Sequence, residues 1–462
     1  MKNVIEYPSG PTYILPFRLL RKFLQDPLKL LTDISHTYGD IAHFKFGRQN
    51  VYFLNHPDYI EDVLVTNHKN FIKSRGLQVS RRLLGNGLVT SEGEYHDKQR
   101  HLIQPTFYPK RIKSYSDLMI KQALDMCNSW RDGTVLDIHK EMTKLTLAII
   151  CKTVLGYDLE PEHDEVGDAL LVCMKYFNRL LMPFGELIEK VPILPINKGF
   201  QKAKKELDSI VYRMIKEHRN KLDKGHQKED DDDLLLTLLQ AQDEEAGIGR
   251  MTDEQLRDEV MTIFLAGHET TANALTWTYY LLSEHPTIES RLREELDSIF
   301  SNGSDGSDGG RTITVDDLPR LQYTEKILTE SMRLYPPAWA LGRQVIDDYM
   351  VAGYTIPKGS IILMSQYVMH RDPRYFPEPD RFYPDRWTEE FKKQLPRFSY
   401  FPFGGGVRGC IGEPFALMES IIIIAIIYRQ WDMQVETSQK IALKPLITLR
   451  PKYGMRMKIS RR

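Results

Sequence analysis

The chain has 462 residues, of which 42% are apolar and 27% charged, with a formal net charge of -1 and a pI near 6.9. That apolar content suffices for a large core, and the balanced charge gives no global basic field of the kind that would make nucleic acid the primary partner. Cys127, Cys151, Cys173 and Cys410 stand far apart without a C-x-x-C pair, so neither a disulfide framework nor a zinc ribbon is indicated, and a reducing, cytoplasmic setting fits best.

The opening MKNVIEYPSGPTYILPFRLL lacks the continuous apolar run of a signal peptide or membrane anchor, and residues 1–25 read as a lead-in. Leucine spacing predicts a helix over Asp26 to Tyr38, and IAHFKFG followed by NVYFLN alternates as a hairpin does. From Ser114 to Phe300 most segments have helical periodicity. Two polar stretches, 226–233 with its acidic run and 301–311 with SNGSDGSDGG, read as exposed loops. The aromatic and methionine stripe in KYFNRLLMPFGELI reads as core or as the lining of a substrate entrance. With no internal repeat and no linker between separate cores, residues 1–462 are expected to form one large domain. Its class is mainly α with a small β portion near the N-terminus.

The most informative helix starts at MTDEQLRDEVMTIFLAGHETT. Thr252 and Gln255 have capping-box spacing, Asp253 and Glu254 suit the positive helix end, and Pro286 marks the stop. The run of about 33 residues would span roughly 50 Å. Its middle, Ala266-Gly267-His268-Glu269-Thr270-Thr271, has low helix propensity. Small residues there make room for something, and hydroxyls bonding back to helix carbonyls can open a bulge that holds water. An acid beside an alcohol can relay protons. Taken alone, the same stretch also reads as a glycine used for close helix packing with Glu269 solvated.

Farther on, Glu330 and Arg333 are spaced i, i+3 before Pro336 and Pro337 stop their helix. Alone they read as a surface pair, but PEPDRFYPDRW offers Arg381 as a third member of a buried charge network. Last comes FPFGGGVRGCIGEPFALMESIIII, which sets Cys410 in a glycine-rich turn. A nucleophilic cysteine needs a base, which nothing local supplies, and an inert one needs no glycines. A shaped backbone can aim amides at an anionic sulfur, and a following helix start adds positive potential. With no second cysteine nearby, a single thiolate on haem iron is the economical reading. The Ile421 to Ile427 run is too short for a membrane span and reads as a buried helix.

These stretches together resemble the cytochrome P-450 superfamily of haem-thiolate monooxygenases. Phe403 to Gly412 matches the family's F-G-x-G-x-R-x-C-x-G ligand loop, AGHETT resembles its oxygen-activation motif, Glu330 and Arg333 its E-x-x-R pair, and Arg381 its third network arginine. The resemblance implies haem b with Cys410 as the iron ligand, Phe403 near the sulfur, and Glu269 and Thr270 organising water and protons. It has Ala266 and Gly267 leave space above the porphyrin and assigns His96, Arg100, Arg343 and Arg408 to the propionates. It gives His101 and His370 no role.

The resemblance also implies that Arg75 to Val89, Tyr176 to Phe184, the region around Ala266 and Pro337 to Leu341 face the substrate. They are largely apolar, which suits a fatty acid, terpenoid or steroid. Arg75, Arg81 and Arg82 tip the expectation narrowly toward a carboxylate-ended lipid, unless all three are solvated. No flavin, nicotinamide or iron-sulfur module follows Cys410, so a ferredoxin or flavodoxin with its reductase is the expected electron donor. Lys98, Lys110, Arg111, Lys113, Lys392 and Lys393 are candidates for its docking surface. The same ligand loop also permits a peroxygenase, desaturase or dehydratase, or a non-catalytic haem sensor.

Overall fold

A computed structural model describes residues 6–11, 16–159, 163–181, 189–224, 233–240, 251–300 and 311–462. The chain forms two compact units. The first comprises Met1–Val79, Thr329–Cys410 and Leu443–Arg450; the second comprises Ser80–Leu328, Ile411–Ala442 and Pro451–Arg462.

The first unit is built on a five-stranded sheet. Its order is Ile41–Phe46, Gln49–Leu54, Ile361–Met364, Leu341–Val345 and Phe71–Lys73. The expected hairpin is present, pairing Ile41 with Leu54 through Phe46 with Gln49, and Gly47 supplies the left-handed turn residue (φ 61°). The expected helix spans Pro27–Tyr38, capped by the Asp26 carboxylate, which accepts from the Lys29 amide at 3.0 Å. The other three strands of the sheet are ones the sequence reading did not place. They are three to five residues long, and Ile361–Met364 lies parallel to Gln49–Leu54 from more than three hundred residues away. So short a strand with so distant a partner leaves no usable period.

Inside this unit, Glu330 and Arg333 are both fully buried and form a bidentate pair, with both nitrogen–oxygen distances 2.9 Å. The third member is Arg386, not Arg381. Arg386 Nε donates to Glu330 Oε1 at 2.9 Å, Trp387 Nε1 to Oε2 at 2.8 Å, and the Tyr383 amide to Oε1 at 3.0 Å. Arg381 is an exposed residue whose guanidinium pairs with Glu378, and it serves the network only through its carbonyl, which accepts from Arg333 at 3.1 Å. The triplet Pro-Asp-Arg occurs twice in PEPDRFYPDRW, and spacing could not choose between its copies. Burial could: Arg386 is 7% exposed and lies beside a buried tryptophan.

The second unit is mainly helical. Its long helix spans Asp253–Glu284 with both halves of the Thr252–Gln255 capping box formed. It packs against the helix Ile138–Val154, while the helix Glu413–Gln430 packs against both it and Ser116–Ser129. Ile421 to Ile427 are all buried in this last helix, and no helix among the described residues is long and apolar enough to cross a membrane. A three-stranded sheet of Val135–Asp137, Arg456–Arg461 and Trp431–Val435 completes the unit.

Of the two polar loops, 225–232 and 301–310 lie outside the described residues. Asp233 at the end of the first is buried; it accepts from the Leu236 amide at 2.8 Å and sits 3.2 Å from His218 Nε2. Arg311 at the end of the second pairs with buried Asp317. In the stripe, Tyr176 and Phe177 are buried, and Tyr176 stacks on Phe200 with centroids 4.1 Å apart. Both are core, and Phe184 lies outside the described residues.

Removing Arg386 strands the Glu330 carboxylate in the interior with one guanidinium fewer. Arg386→Ala is expected to lower the unfolding free energy by about 3–5 kcal/mol, and Arg381→Ala by less than about 1 kcal/mol. Urea melts of the two variants make the comparison, and equal losses would return Arg381 to the network.

Candidate active site

Among the four cysteines only Cys410 is exposed. Burial in apolar surroundings pushes the thiols of Cys127 and Cys173 up to about 12 and that of Cys151 well above its ordinary value. Those three therefore stay protonated at neutral pH and cannot serve as thiolate ligands.

The loop that carries Cys410 is closed on itself by three backbone hydrogen bonds of 3.0 Å. The amide of Gly404 donates to the carbonyl of Phe401, that of Gly409 to Gly406, and that of Cys410 to Phe403. Glycine is required at two of these positions for separate reasons. Gly406 has φ 66°, and a Cβ there would overlap the Leu64 carbonyl oxygen; at Gly405 a Cβ would run into the Phe398 ring. The glycines thus let the backbone pass close to its neighbours. Phe403 and Arg408 are half-buried beside it in sequence. Arg343, in the strand Leu341–Val345 of the same unit, is 9% exposed with Nη1 3.1 Å from the Gly342 carbonyl.

In the second unit the long helix is buried from Leu256 to Tyr279 except at four positions. Ala266 is exposed, and Leu265, Gly267 and Thr270 are half-buried. Ala266 and Thr270 are four apart and so share one face. An accessible patch in mid-helix, flanked by buried turns, marks a recess in the unit. Thr270 Oγ1 donates back to the Ala266 carbonyl at 2.8 Å and Thr271 Oγ1 to Gly267 at 3.3 Å, as expected, but the helix runs through without a bulge. Of the two uses expected for it, Gly267 has the packing one. A Cβ there would approach Ile150 Cγ1 to 2.9 Å, so its missing side chain admits the neighbouring helix, while Ala266 is the residue that opens to solvent. Glu269 is 5% exposed, which removes the solvated reading.

His96 and Arg100 share one face of the helix Gly93–Ile103 at i, i+4. His96 is 2% exposed with Nδ1 3.1 Å from Asp97 Oδ1, and Arg100 Nε donates to Gln104 at 3.3 Å. A buried histidine fits the expected cofactor role better than the exposed one a lone helical histidine would be.

Two features escaped the sequence reading. Glu419, fully inside the helix Glu413–Gln430, has both carboxyl oxygens buried without hydrogen-bond partners, and burial raises it well above the carboxylate range although Thr271 lies against it. Burial thus favours its neutral form. The segment Arg81 to Ser91 is clamped to the long helix. Asp258 and Glu259 accept from the amides of Asn86 and Leu88 at 2.7 and 2.9 Å, and Gly85 and Gly87 leave room for Asp258 and Thr262.

A family model described as Cytochrome P450 matches residues 8–458. The chain belongs to the cytochrome P450 family. It is 35% identical over 92% of its length to cyclooctatin synthase of Streptomyces melanosporofaciens, covering 89% of that protein. To cyclooctat-9-en-7-ol 5-monooxygenase of the same organism it is 35% identical, over 88% of this chain and 85% of the relative, and to pentalenene oxygenase of Streptomyces avermitilis 31%, over 96% and 94%. The crystal structure of the cytochrome P450DA heme domain superposes with a TM-score of 0.86 at 24% identity, covering 100% of this chain and 99% of that one, which shows the fold. This cytochrome P450 is an oxidoreductase, a haem-dependent monooxygenase, and the exposed cysteine in its glycine-shaped loop suits a single thiolate ligand.

Two outcomes check the local readings. Gly406→Ala meets both a strained φ and an overlap, whereas Gly353→Ala has the same sign of φ (81°) and nothing within 4 Å. The second is expected to cost about 1–2 kcal/mol and the first distinctly more, by thermal melts. For Glu419 the folded carboxyl holds its proton above the pH at which the unfolded chain releases it. Its contribution is therefore present below the ordinary carboxyl value and is lost as pH rises toward the folded one. Glu419→Gln is expected to flatten that fall above the ordinary carboxyl range relative to wild type; parallel slopes would show an ionised Glu419.

Proposed function

We propose that this cytochrome P450 uses haem b, ligated by Cys410, to insert one oxygen atom of O2 into a terpenoid hydrocarbon or alcohol, with electrons from a separate ferredoxin or flavodoxin. The observation that carries the ligand reading is the isolation of Cys410 as the one exposed thiol among the four cysteines, in a loop where Gly405 and Gly406 cannot be replaced without overlap. When bound, the haem supplies dioxygen binding and its reductive activation. The chain supplies the rest. Thr270, its proton committed to the Ala266 carbonyl, presents acceptor lone pairs to a water at the accessible helix face. Buried Glu269 is the nearby acid that replenishes the proton. Ala266, with the smallest side chain that keeps the helix, leaves the recess open. His96, Arg100, Arg343 and Arg408 are the groups suited to hold the propionates.

The substrate expectation changes from fatty acid to terpenoid for a physical reason. A carboxylate-ended lipid needs an available cation, yet Arg82 is paired with Glu189, and Arg81 donates to the Thr90 carbonyl at 2.8 Å and to Asn86. The Arg82–Glu189 pair holds the glutamate below its ordinary range and the guanidinium above its own. With the Arg82 charge countered by Glu189 and the Arg81 donors committed to Thr90 and Asn86, Arg75 at an exposed position is the third cation, and the leucines and valines between Arg75 and Val89 suit an uncharged ring system. The names of the relatives, cyclooctat-9-en-7-ol 5-monooxygenase and pentalenene oxygenase, point the same way.

The electron donor is proposed on charge. Lys98, Lys110, Lys113, Lys392 and Lys393 are all exposed and suit an acidic partner. Purified holoprotein, reduced under carbon monoxide, is expected to give the red-shifted Soret band of a thiolate ligand, lost in Cys410→Ala. Titration with polycyclic terpenoids is expected to shift the iron spin state, while long-chain fatty acids do so weakly or not at all. A tight fatty-acid response with none from terpenoids would reverse the substrate assignment.

A further inference from the structure

We propose that His370 is a positioning residue for the cysteine loop: its neutral imidazole, through Nε2, holds the segment that enters the loop at Phe401 against the buried Glu330–Arg333–Arg386 network. The proposal rests on the reading of Cys410 as the iron ligand and goes beyond it by saying what aims that ligand.

His370 has no exposed surface. The backbone amide of Phe401 donates to its Nε2 at 3.0 Å, so this nitrogen must be the unprotonated acceptor. On the other side of the same residue, Arg333 Nη1 donates to the His370 carbonyl at 2.8 Å. One residue is thus gripped by the network through its backbone and grips the loop through its ring. The connection continues without a gap. Phe401 accepts from the Gly404 amide, and Phe403, two residues on, accepts from the amide of Cys410, each at 3.0 Å. Four hydrogen bonds therefore lead from the guanidinium of Arg333 to the backbone of the cysteine.

The ring cannot drift. Tyr400 and Phe401 flank it with centroids 4.9 and 5.5 Å away, the latter edge to face at 86°. The Tyr400 hydroxyl is itself anchored on the Thr329 carbonyl at 3.0 Å. The charge state is also fixed. Burial, with Arg333 and Arg371 nearby, holds the imidazole well below its ordinary value, outweighing the opposing pull of the Met332 and Arg333 carbonyls. Nδ1, which must carry the proton, is directed at those carbonyls. That tautomer leaves Nε2 able to accept the Phe401 amide.

Two substitutions separate this role from plain packing. The side-chain amide of glutamine reaches the position of Nε2, and that of asparagine reaches only as far as Nδ1. His370→Gln is expected to keep the thiolate-type Soret band of the reduced carbon-monoxide complex, and His370→Asn to raise the fraction with the unshifted, thiol-type band about fivefold, the factor of one net hydrogen bond. Far-ultraviolet circular dichroism and haem content are measured on the same samples. Equal spectra in both variants, whether both intact or both converted, would overturn the proposal, as would loss in glutamine alone. A wild-type protein without the thiolate band would instead overturn the assignment of Cys410, so the two failures are distinguishable.

Discussion

A single carboxylate, Glu330, sits with no solvent contact and takes hydrogen bonds from two guanidinium groups, an indole and a backbone amide. In water such an array would be worth little, because each charge is already hydrated. Withdrawn from water, every member becomes costly to leave unpaired, so the arrangement acts as a constraint more than as a source of stability. The two arginines turn their remaining donors outward, onto the carbonyls of His370, Pro377, Glu378, Pro379 and Arg381. An irregular stretch of chain that makes little regular secondary structure is thereby pinned at five backbone points.

The cysteine loop inherits its precision from that pinning. Its own hydrogen bonds give it shape, and Gly405 and Gly406 allow a close approach that any side chain would block. Shape alone does not fix direction. The loop enters through Phe401, whose amide is held by His370, and His370 is held by Arg333. Electrostatics, backbone sterics and a neutral imidazole thus act in series on the cysteine loop, the kind of support that the ligand role proposed for Cys410 calls for.

The long helix solves a different problem. It is buried over most of its length, so its stability comes from packing, and it can tolerate the weak propensities of Gly267, Thr270 and Thr271. Each departure has its own cause. Gly267 admits Ile150, Thr146 donates to the His268 carbonyl at 2.9 Å, and Ala266 leaves an accessible patch. Glu419 adds a neutral acid beside Thr271 on a helix of nearly continuous isoleucine, where a charge would have no counter-ion.

The sequence alone was sufficient for the long helix and its caps, the N-terminal hairpin, the cysteine loop and the family. All of these depend on residues close together in the chain, whose spacing expresses local geometry directly. It was not sufficient wherever two equivalent local patterns competed. Pro-Asp-Arg occurs twice within eight residues, and only burial distinguishes Arg386 from Arg381. Gly267 reads the same whether it makes room for a ligand or for a neighbouring helix, and Arg81 and Arg82 read as open cations until Thr90 and Glu189 are seen to occupy them. His370 carried no signal at all, because its meaning lies in an amide thirty-one residues away. Desolvation and long-range hydrogen bonding assign such residues their roles, and both exist only once distant segments have been brought together.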